Sequence, residues 1–309
     1  MEHVSVLRDE VKRYLDLKDG EVAVDGTLGL GGHAMDILKS LGKAGKLIAF
    51  DQDERNLVEA KKRLADFDSN IVYFQDNFRH LKTRVTGIGI SQVDAILLDL
   101  GLSSPHVDDP DRGFAFRKEG PLDMRFDLNQ KLTAADILNT YEEADLADIF
   151  WRYGEERLSK KIARMICNRR KEQLFGSTTD LAALIERAYP PRFTKMDRGH
   201  PAAKIFQALR IAVNDELAAL EEVLDQSFEL LGKGGRLVVI SYHSLEDRIV
   251  KLNFKALAQP KASAEESIYS NYGAPLVNIL THKPVTPTEK ELELNPRSRS
   301  GKLRAYEKI

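Results

Sequence analysis

The stretch Glu21-Val-Ala-Val-Asp-Gly-Thr-Leu-Gly-Leu-Gly-Gly-His-Ala34 decides the fold. Its apolar run Val22–Val24 reads as a strand that stops on Asp25. A turn rich in glycine follows, with Gly26, Gly29, Gly31 and Gly32, and His33 opens a helix-like stretch over 34–41. Strand, glycine turn and helix in that order form the nucleotide-type binding unit of a doubly wound α/β domain. Gly29 to Ala34 also fits G-x-G-x-x-G/A. That string alone is weak evidence, so its surroundings decide the reading.

Outward from the loop, strands are predicted at Lys46–Phe50, Ile71–Phe74 and Val93–Asp99, with a helix over Glu54–Phe67. The last of these strands is apolar throughout its centre, as a strand buried on both faces should be. Four strands alternating with helices argue for a parallel sheet with right-handed crossovers. The rhythm then breaks, because the next strand candidate is Arg236–Ser241. A crossover needs only a dozen or so residues and a helix, so the surplus is an inserted domain.

The insertion reads as helical: Thr133–Asn139 behind a Thr-x-x-Asp capping pattern, Glu142–Tyr153, Glu155–Arg170, and Thr179–Ala188 stopped by Pro190-Pro191. A long polar segment, Ser103–Gln130, precedes it. One continuous apolar stripe from Ile205 to Leu231 predicts a single returning helix, ended by Gly232, Gly234 and Gly235. Leu276–Leu280 and Leu303–Tyr306 read as a closing hairpin, and the polar linker 259–272 has no assigned place. The expected organisation is an α/β Rossmann-like domain over 1–104 and 205–309 with an all-helical domain inserted over 105–204.

The 309 residues carry 42% hydrophobic and 30% charged side chains and a formal charge of −2, which fits a soluble globular chain and not a globally basic nucleic-acid binder. Cys167 is the single cysteine, so no internal disulfide forms and a reducing compartment is expected. No signal-peptide core and no apolar stretch of about 18 residues occurs, so the expected location is the cytoplasm, with no membrane partner. The seven histidines are scattered without metal-ligand spacing, so no metal is expected. A homodimer is compatible with the sequence.

Every strand ends on or beside an acid or amide: Asp25, Asp51, Gln75-Asp76-Asn77-Phe78 and Asp99. Ligands of such sheets sit at these carboxyl ends. Asp51 lies about 20 residues past the glycine turn, where a carboxylate accepts from ribose hydroxyls. That would suit NAD, but Asp25 at the mouth of the loop repels a pyrophosphate and attracts a cation. S-adenosyl-L-methionine is such a ligand. Phe78 is placed to stack on its adenine, with Asp76 or Asn77 on the amino group.

From Asp99 onward the strings become distinctive. Asp99-Leu-Gly-Leu-Ser-Ser-Pro-His-Val-Asp108, Arg112-Gly-Phe-Ala-Phe116 and Pro121-Leu-Asp-Met-Arg-Phe-Asp127 come first. Arg152-Tyr-Gly-Glu-Glu156, His200-Pro-Ala, Phe206-Gln-Ala-Leu-Arg-Ile-Ala-Val-Asn-Asp-Glu-Leu217, His243-Ser-Leu-Glu-Asp-Arg248 and Asn295-Pro-Arg-Ser-Arg-Ser-Gly-Lys-Leu-Arg304 follow. In this order, over nearly the whole chain, they resemble the bacterial RsmH (MraW) family, the 16S rRNA (cytosine-N4)-methyltransferases. The resemblance implies a class I methyltransferase domain interrupted after its fourth strand by a helical substrate domain. It implies S-adenosyl-L-methionine held by Gly31, Gly32, His33, Asp51, Phe78, Asp99 and His106, to which the charge argument adds Asp25. It also implies a target cytidine in the decoding region of the small-subunit rRNA, with a late-assembly 30S particle as the expected substrate.

The exocyclic N4 of cytosine is a poor nucleophile, because its lone pair is delocalised into the ring. Acceptors near N4 orient its protons and free the lone pair. The Asp/Asn-Pro-Pro-aromatic string of many amino-methylating enzymes is absent, and Asp99, Ser103 and Ser104 are the polar groups in its place. For the two serines, turn capping is the competing role. A flipped base needs contacts, for which Tyr242, His243, Phe114 and Phe116 are candidates, with packing of the insertion as the alternative for the aromatics. Phosphate contacts need local positive charge. One cluster holds Arg157, Lys160, Lys161, Arg164, Arg169, Arg170 and Lys171; a second holds Arg192, Lys195, Arg198 and Lys204; a third holds Arg297, Arg299, Lys302 and Arg304. The competing functions are an amino-methyltransferase acting on another RNA, an NAD-dependent oxidoreductase, and a non-catalytic RNA-binding protein.

Overall fold

The computed structural model describes residues 5–190, 200–260 and 273–309. Arg192, Lys195 and Arg198 of the second basic cluster, and nearly all of the 259–272 linker, lie outside the described residues. The chain forms two compact units, Met1–Gly101 with Leu217–Ile309, and Leu102–Glu216.

The first unit is built on a seven-stranded sheet: β1 (Val22–Asp25), β2 (Lys46–Asp51), β3 (Ile71–Gln75), β4 (Val93–Asp99), β5 (Leu231–Ser241), β6 (Val277–Ile279) and β7 (Lys302–Lys308). Their spatial order is β3-β2-β1-β4-β5-β7-β6. β1 to β5 pair in parallel, and β7 runs antiparallel between β5 and β6. This is the order of a class I, Rossmann-like methyltransferase sheet, with the expected closing hairpin in β6 and β7.

Alternation along the central strands explains why both faces are covered. Ala95 and Leu97 of β4 join a core with Ala23, Leu47 and Ala49, closed by the helix Gly32–Leu41 through Ala34, Ile37 and Leu38. Ile96 and Leu98 point the other way, into a core with Val24, Ile48 and Phe50, closed by the helices Glu216–Leu230 and Ser244–Ala258. A strand sandwiched in this way has no polar face, which is why 93–99 reads as a continuous apolar run.

The helical unit contains Ala134–Thr140, Glu143–Arg152, Ser159–Arg169, Thr178–Ala188 and Ala202–Asn214. Thr133 and Asp136 form the expected capping box. The third helix starts at Ser159 and not near Glu155, because Glu155 is left-handed (φ 46°) and the Glu156 carboxylate accepts from the Leu158 N–H at 2.8 Å.

The expected single helix over 205–231 is two helices. Asn214 turns inward, donating to the Met124 carbonyl at 2.7 Å and accepting from the Phe126 N–H at 2.8 Å, and Asp215 turns left-handed (φ 50°). One left-handed residue breaks the helix yet keeps both apolar stripes facing their own cores. Ile205, Phe206, Leu209 and Val213 therefore belong to the helical core, and the division falls after Glu216 instead of after 204. The glycines at 232, 234 and 235 do not cap a helix. They lie inside β5 between the pairs Val93↔Leu231 and Ala95↔Arg236, where an irregular bulge absorbs the extra residues. The helix from Glu54 also stops early, at Arg63, and a 3-10 segment over Ala65–Asn70 replaces its end. Asp66, Asp68, Ser69 and Asn70 lie in that segment, and such side chains compete for backbone hydrogen bonds.

Candidate active site

β1 has β2 on one side and β4 on the other, so strand order reverses there. The carboxyl ends of β1 and β4 at such a reversal are where an open α/β sheet binds its ligand. Asp25 and Asp99 are the last residues of those strands, and Thr27 ties them together. Its N–H donates to Asp25 Oδ1 at 3.1 Å, and its Oγ1 accepts from the Asp99 N–H at 2.6 Å.

The loop that follows needs its glycines. Gly31 is left-handed (φ 76°), and a Cβ there would meet Leu64 Cδ1 at 3.1 Å. At Gly26 an added Cβ would meet Leu98 Cδ2 at 2.6 Å and Phe78 Cβ at 3.6 Å, so only glycine lets the loop pass between β4 and Phe78. At the end of β2, the Asp51 carboxylate accepts from Gly29 N–H and Asp53 N–H, both at 2.8 Å, and from the Asn56 amide at 3.2 Å. Asp51 therefore organises the glycine loop. Phe78 opens a one-turn helix capped by Asn77, whose amide donates to Gln52 at 3.0 Å. Asp76 and Asn77 are both committed within the protein: the Asp76 oxygens meet His80 Nδ1 at 2.8 Å and Arg84 Nε at 2.6 Å, and Asn77 Oδ1 accepts from the Arg79 N–H at 2.9 Å.

Asp99 is held from the end of the neighbouring strand. Tyr242, just past β5, donates its hydroxyl to Asp99 Oδ1 at 2.7 Å. The ring of Tyr242 passes over Gly101 (φ 103°), where a Cβ would meet it at 3.0 Å. Burial, then the Asp99 charge, lifts the Tyr242 pKa well above its ordinary value, so the phenol stays a neutral donor. His33 Nε2 lies 3.6 Å from Asp99 Oδ2, too far for a hydrogen bond, and has no hydrogen-bond partner among the described residues.

The electrostatics are those of a site short of positive charge. Burial pushes Asp25 up to about 6, against the opposing pull of His33 and the Thr27 N–H. It pushes Asp51 up to about 7, against the Asp53 and Gly29 amides. At His33 burial lowers the pKa, but Asp99, Asp25 and Asp36 together outweigh it and raise the pKa. All three groups bind protons more tightly folded than unfolded. Their contribution to stability is full at low pH and is lost as pH rises through the folded values. The cofactor-free protein is therefore expected to lose thermal stability between about pH 4 and pH 7. Asp25→Asn keeps the acceptor for Thr27 and removes the buried charge, so it should raise Tm above pH 6 and flatten the profile. Scanning calorimetry decides this; an Asp25→Asn profile parallel to the wild type would refute it.

A family profile described as the MraW methylase family matches residues 1–309. Among curated proteins, "Ribosomal RNA small subunit methyltransferase H" of Geotalea daltonii is 49% identical, covering 99% of this chain and 98% of its own length. The proteins of the same name from Streptococcus mutans and Clostridium botulinum are each 44% identical, covering 99% of this chain and 98% and 99% of their own.

The chain belongs to the MraW methylase family. With the family comes its cofactor, S-adenosyl-L-methionine. The residues fit it: Asp25 is a buried acid at the mouth of the loop, the buried His33 imidazole keeps an Nε2 with no hydrogen-bond partner among the described residues, and Gly29 is left-handed (φ 52°) with only a backbone oxygen, at 3.9 Å, near an added Cβ. The oxidoreductase alternative falls with this assignment.

In this methylase-family chain the sheet unit gathers Asp25, Gly31, Gly32, His33, Asp51, Phe78, Asp99 and Tyr242 at one edge. Thr27, Asn56 and Glu246 also build that edge and went unnoticed in the sequence. Thr27 had a local signal, lying two residues past a strand-ending acid. Glu246 was hidden because His243 is an unusual N-cap. The buried Glu246 carboxylate accepts from Tyr242 N–H at 2.8 Å and His243 N–H at 3.2 Å, closing a capping box. His243 is thereby a cap, with its ring turned to Glu246 at 3.1 Å, and does not present itself to a base.

Within the helical unit, Ser103 Oγ lies 3.0 Å from His106 Nδ1, and Ser104 starts the short helix Ser104–Asp108. His106 is buried between Phe114 and Phe126, at centroid distances of 5.1 and 5.2 Å. Phe114 is itself core, stacked on Phe126, so it offers no free face to a base. Phe116 stacks on His200 at 4.5 Å and meets Phe206 edge-on, which again is packing. The first basic cluster divides. Arg170 donates to the Leu138 and Tyr141 carbonyls, Lys161 to that of Ala188, and Arg169 pairs with Asp180. Arg157, Lys160, Lys161, Arg164 and Lys171 are exposed. In the third cluster Arg304 is buried against Asp247 at 2.7 Å, while Arg297 and Arg299 are exposed. No group of three or more His, Cys, Asp or Glu that could hold a metal occurs among the described residues, and no helix there is long and apolar enough to cross a membrane.

Proposed function

We propose that the protein methylates the exocyclic N4 of a cytidine in the decoding region of 16S rRNA, presented in a late-assembly 30S particle. The observation that carries this is Asp99. It ends β4 at the strand-order reversal, one oxygen is fixed by Tyr242, and its side chain keeps 23% of its surface open. The backbone of Gly31 and Gly32, with Asp25, His33, Asp51 and Phe78, would hold S-adenosyl-L-methionine, which supplies an electrophilic methyl on sulfur. Asp99 accepts a hydrogen bond from the N4 amino group and turns its lone pair toward the methyl. As the N–C bond forms, the methyl–sulfur bond would break and leave its electron pair on a neutral thioether; the alkylated nitrogen, being acidic, would release one proton to solvent without a strong base. Ser103 and Ser104, four and five residues on in the chain, are proposed as further polar partners of the base, and His106 as a further cofactor contact.

Exposed cations supply the rRNA grip. Lys160 and Arg164 lie four residues apart on the helix Ser159–Arg169, and Arg164 has only a loose pair with Glu143 at 3.4 Å. Charge reversal at both, Lys160→Glu with Arg164→Glu, is expected to raise KM for the rRNA substrate about tenfold, flatten its salt dependence by about two phosphate contacts, and leave kcat unchanged. Steady-state kinetics at several salt concentrations test this; an unchanged KM and salt slope would remove these residues from the interface. Arg297 and Arg299 are proposed contacts of the same kind. The function itself is tested by incubating 30S particles with labelled cofactor and mapping the methyl by mass. A label on a base carbon, on ribose or on protein would sink the N4 assignment.

A further inference from the structure

Three stretches far apart in the chain meet in front of the glycine loop. Ser5 is buried, and a Cβ added at Gly32 would meet its Oγ at 2.1 Å. Val6 passes Gly301 so closely that a Cβ there would meet Val6 Cγ1 at 3.0 Å. Leu7 is fully buried and left-handed (φ 51°), and its N–H donates to Glu291 Oε1 at 2.7 Å. The next residue, Arg8, forms a two-pronged pair with Asp36 on the helix Gly32–Leu41, the helix that the glycine loop opens. The segment 5–7 is thus tied at both ends across the start of that helix.

Glu291 is an odd choice for a merely structural acceptor. Burial raises its pKa, and the repulsion of Glu10 and Asp9 adds to this, against the Leu7 N–H and His33. The Leu7 N–H and the nearby imidazole offset this, and both belong to the glycine-loop side of the molecule.

We infer that Ser5–Leu7 is a strap forming one wall of the methyl-donor site, and that Glu291 is the residue that positions it. The strap bears on Gly32 and fixes the direction of the loop's backbone N–H groups, which this role shares with the cofactor reading above. Loss of the clamp should act on donor affinity and not on the transfer step.

Calorimetric titration of the full chain with S-adenosyl-L-methionine tests this. Glu291→Ala should weaken binding about tenfold, while kcat at saturating donor and KM for rRNA stay within about twofold of wild type. Glu291→Gln keeps an oxygen acceptor for Leu7 and should restore affinity to within about twofold. A folded Glu291→Ala protein that binds the donor as the wild type does would overturn the inference. In the wild-type protein, donor binding should also slow hydrogen exchange at the Leu7 amide, a measurement that needs no variant; unchanged exchange would equally overturn it. A wild-type protein that binds no donor overturns both this and the cofactor reading. Donor affinity is measured without rRNA, so the result is independent of which atom receives the methyl.

Discussion

Asp99→Asn is expected to lower kcat for rRNA methylation by about a hundredfold while donor affinity changes by less than about threefold. The amide keeps one oxygen to accept from Tyr242, so the frame around position 99 survives. What is lost is the second acceptor oxygen, the one 3.6 Å from His33 Nε2. An amide NH2 in its place presents donors to an amino group that itself needs an acceptor, so the N4 lone pair is no longer oriented. Single-turnover rates at saturating donor isolate the transfer step from binding. A variant that binds donor normally and transfers at the wild-type rate would show that Asp99 is not the acceptor. It would favour a purely cofactor-holding role for Asp99.

The second large effect is on binding. Asp51→Ala should weaken S-adenosyl-L-methionine by about a hundredfold, about 2.7 kcal/mol. The loss has two parts. The proposed ribose partner disappears, and the Gly29 and Asp53 N–H groups and the Asn56 amide lose the acceptor that now ties the glycine loop to β2. Asp51→Asn separates the parts, because it keeps one acceptor and removes the buried charge; its affinity should fall between the two. Calorimetry on the folded proteins measures this, and an Asp51→Ala affinity within about threefold of wild type would exclude Asp51 from the site.

Much of the sheet unit is legible in the sequence, because its signals are local. β4 runs Val93–Asp99 as expected, since a strand covered on both faces leaves an unbroken apolar run. The acids at 25, 51 and 99 mark strand ends because polar groups collect where apolar burial stops. The insertion was visible as a missing strand, and its capping box at Thr133 as a four-residue pattern. Failures came where a local pattern had two physical causes. The stripe from Ile205 to Leu231 keeps helical spacing across a left-handed Asp215, so periodicity could not reveal that Asn214 bonds to Met124 and Phe126, about ninety residues away. Glycines after a helix usually cap it, but here they relieve a bulge opposite Asp94 in β5.

The aromatics and cations show the same limit. Phe114 and Arg304 have the composition of an RNA-binding surface, yet one is packed against Phe126 and the other against Asp247. Composition cannot separate an exposed ring or charge from a buried one. By itself the sequence determined the fold class, the order of the strand-end acids and the family, because each depends on residues close together in the chain. Tertiary structure alone decided which groups meet. Tyr242 reaches Asp99 across 143 positions, and Glu291 holds Leu7 across 284. Such contacts depend on strand order and on gaps left by Gly101, Gly32 and Gly301, and no local pattern encodes which side chain will fill a gap. The glycine loop is the joint product: its own residues give it shape, while Asp51, Leu64 and Ser5 pack against it, with Glu291 from the far end of the chain bonded to Leu7.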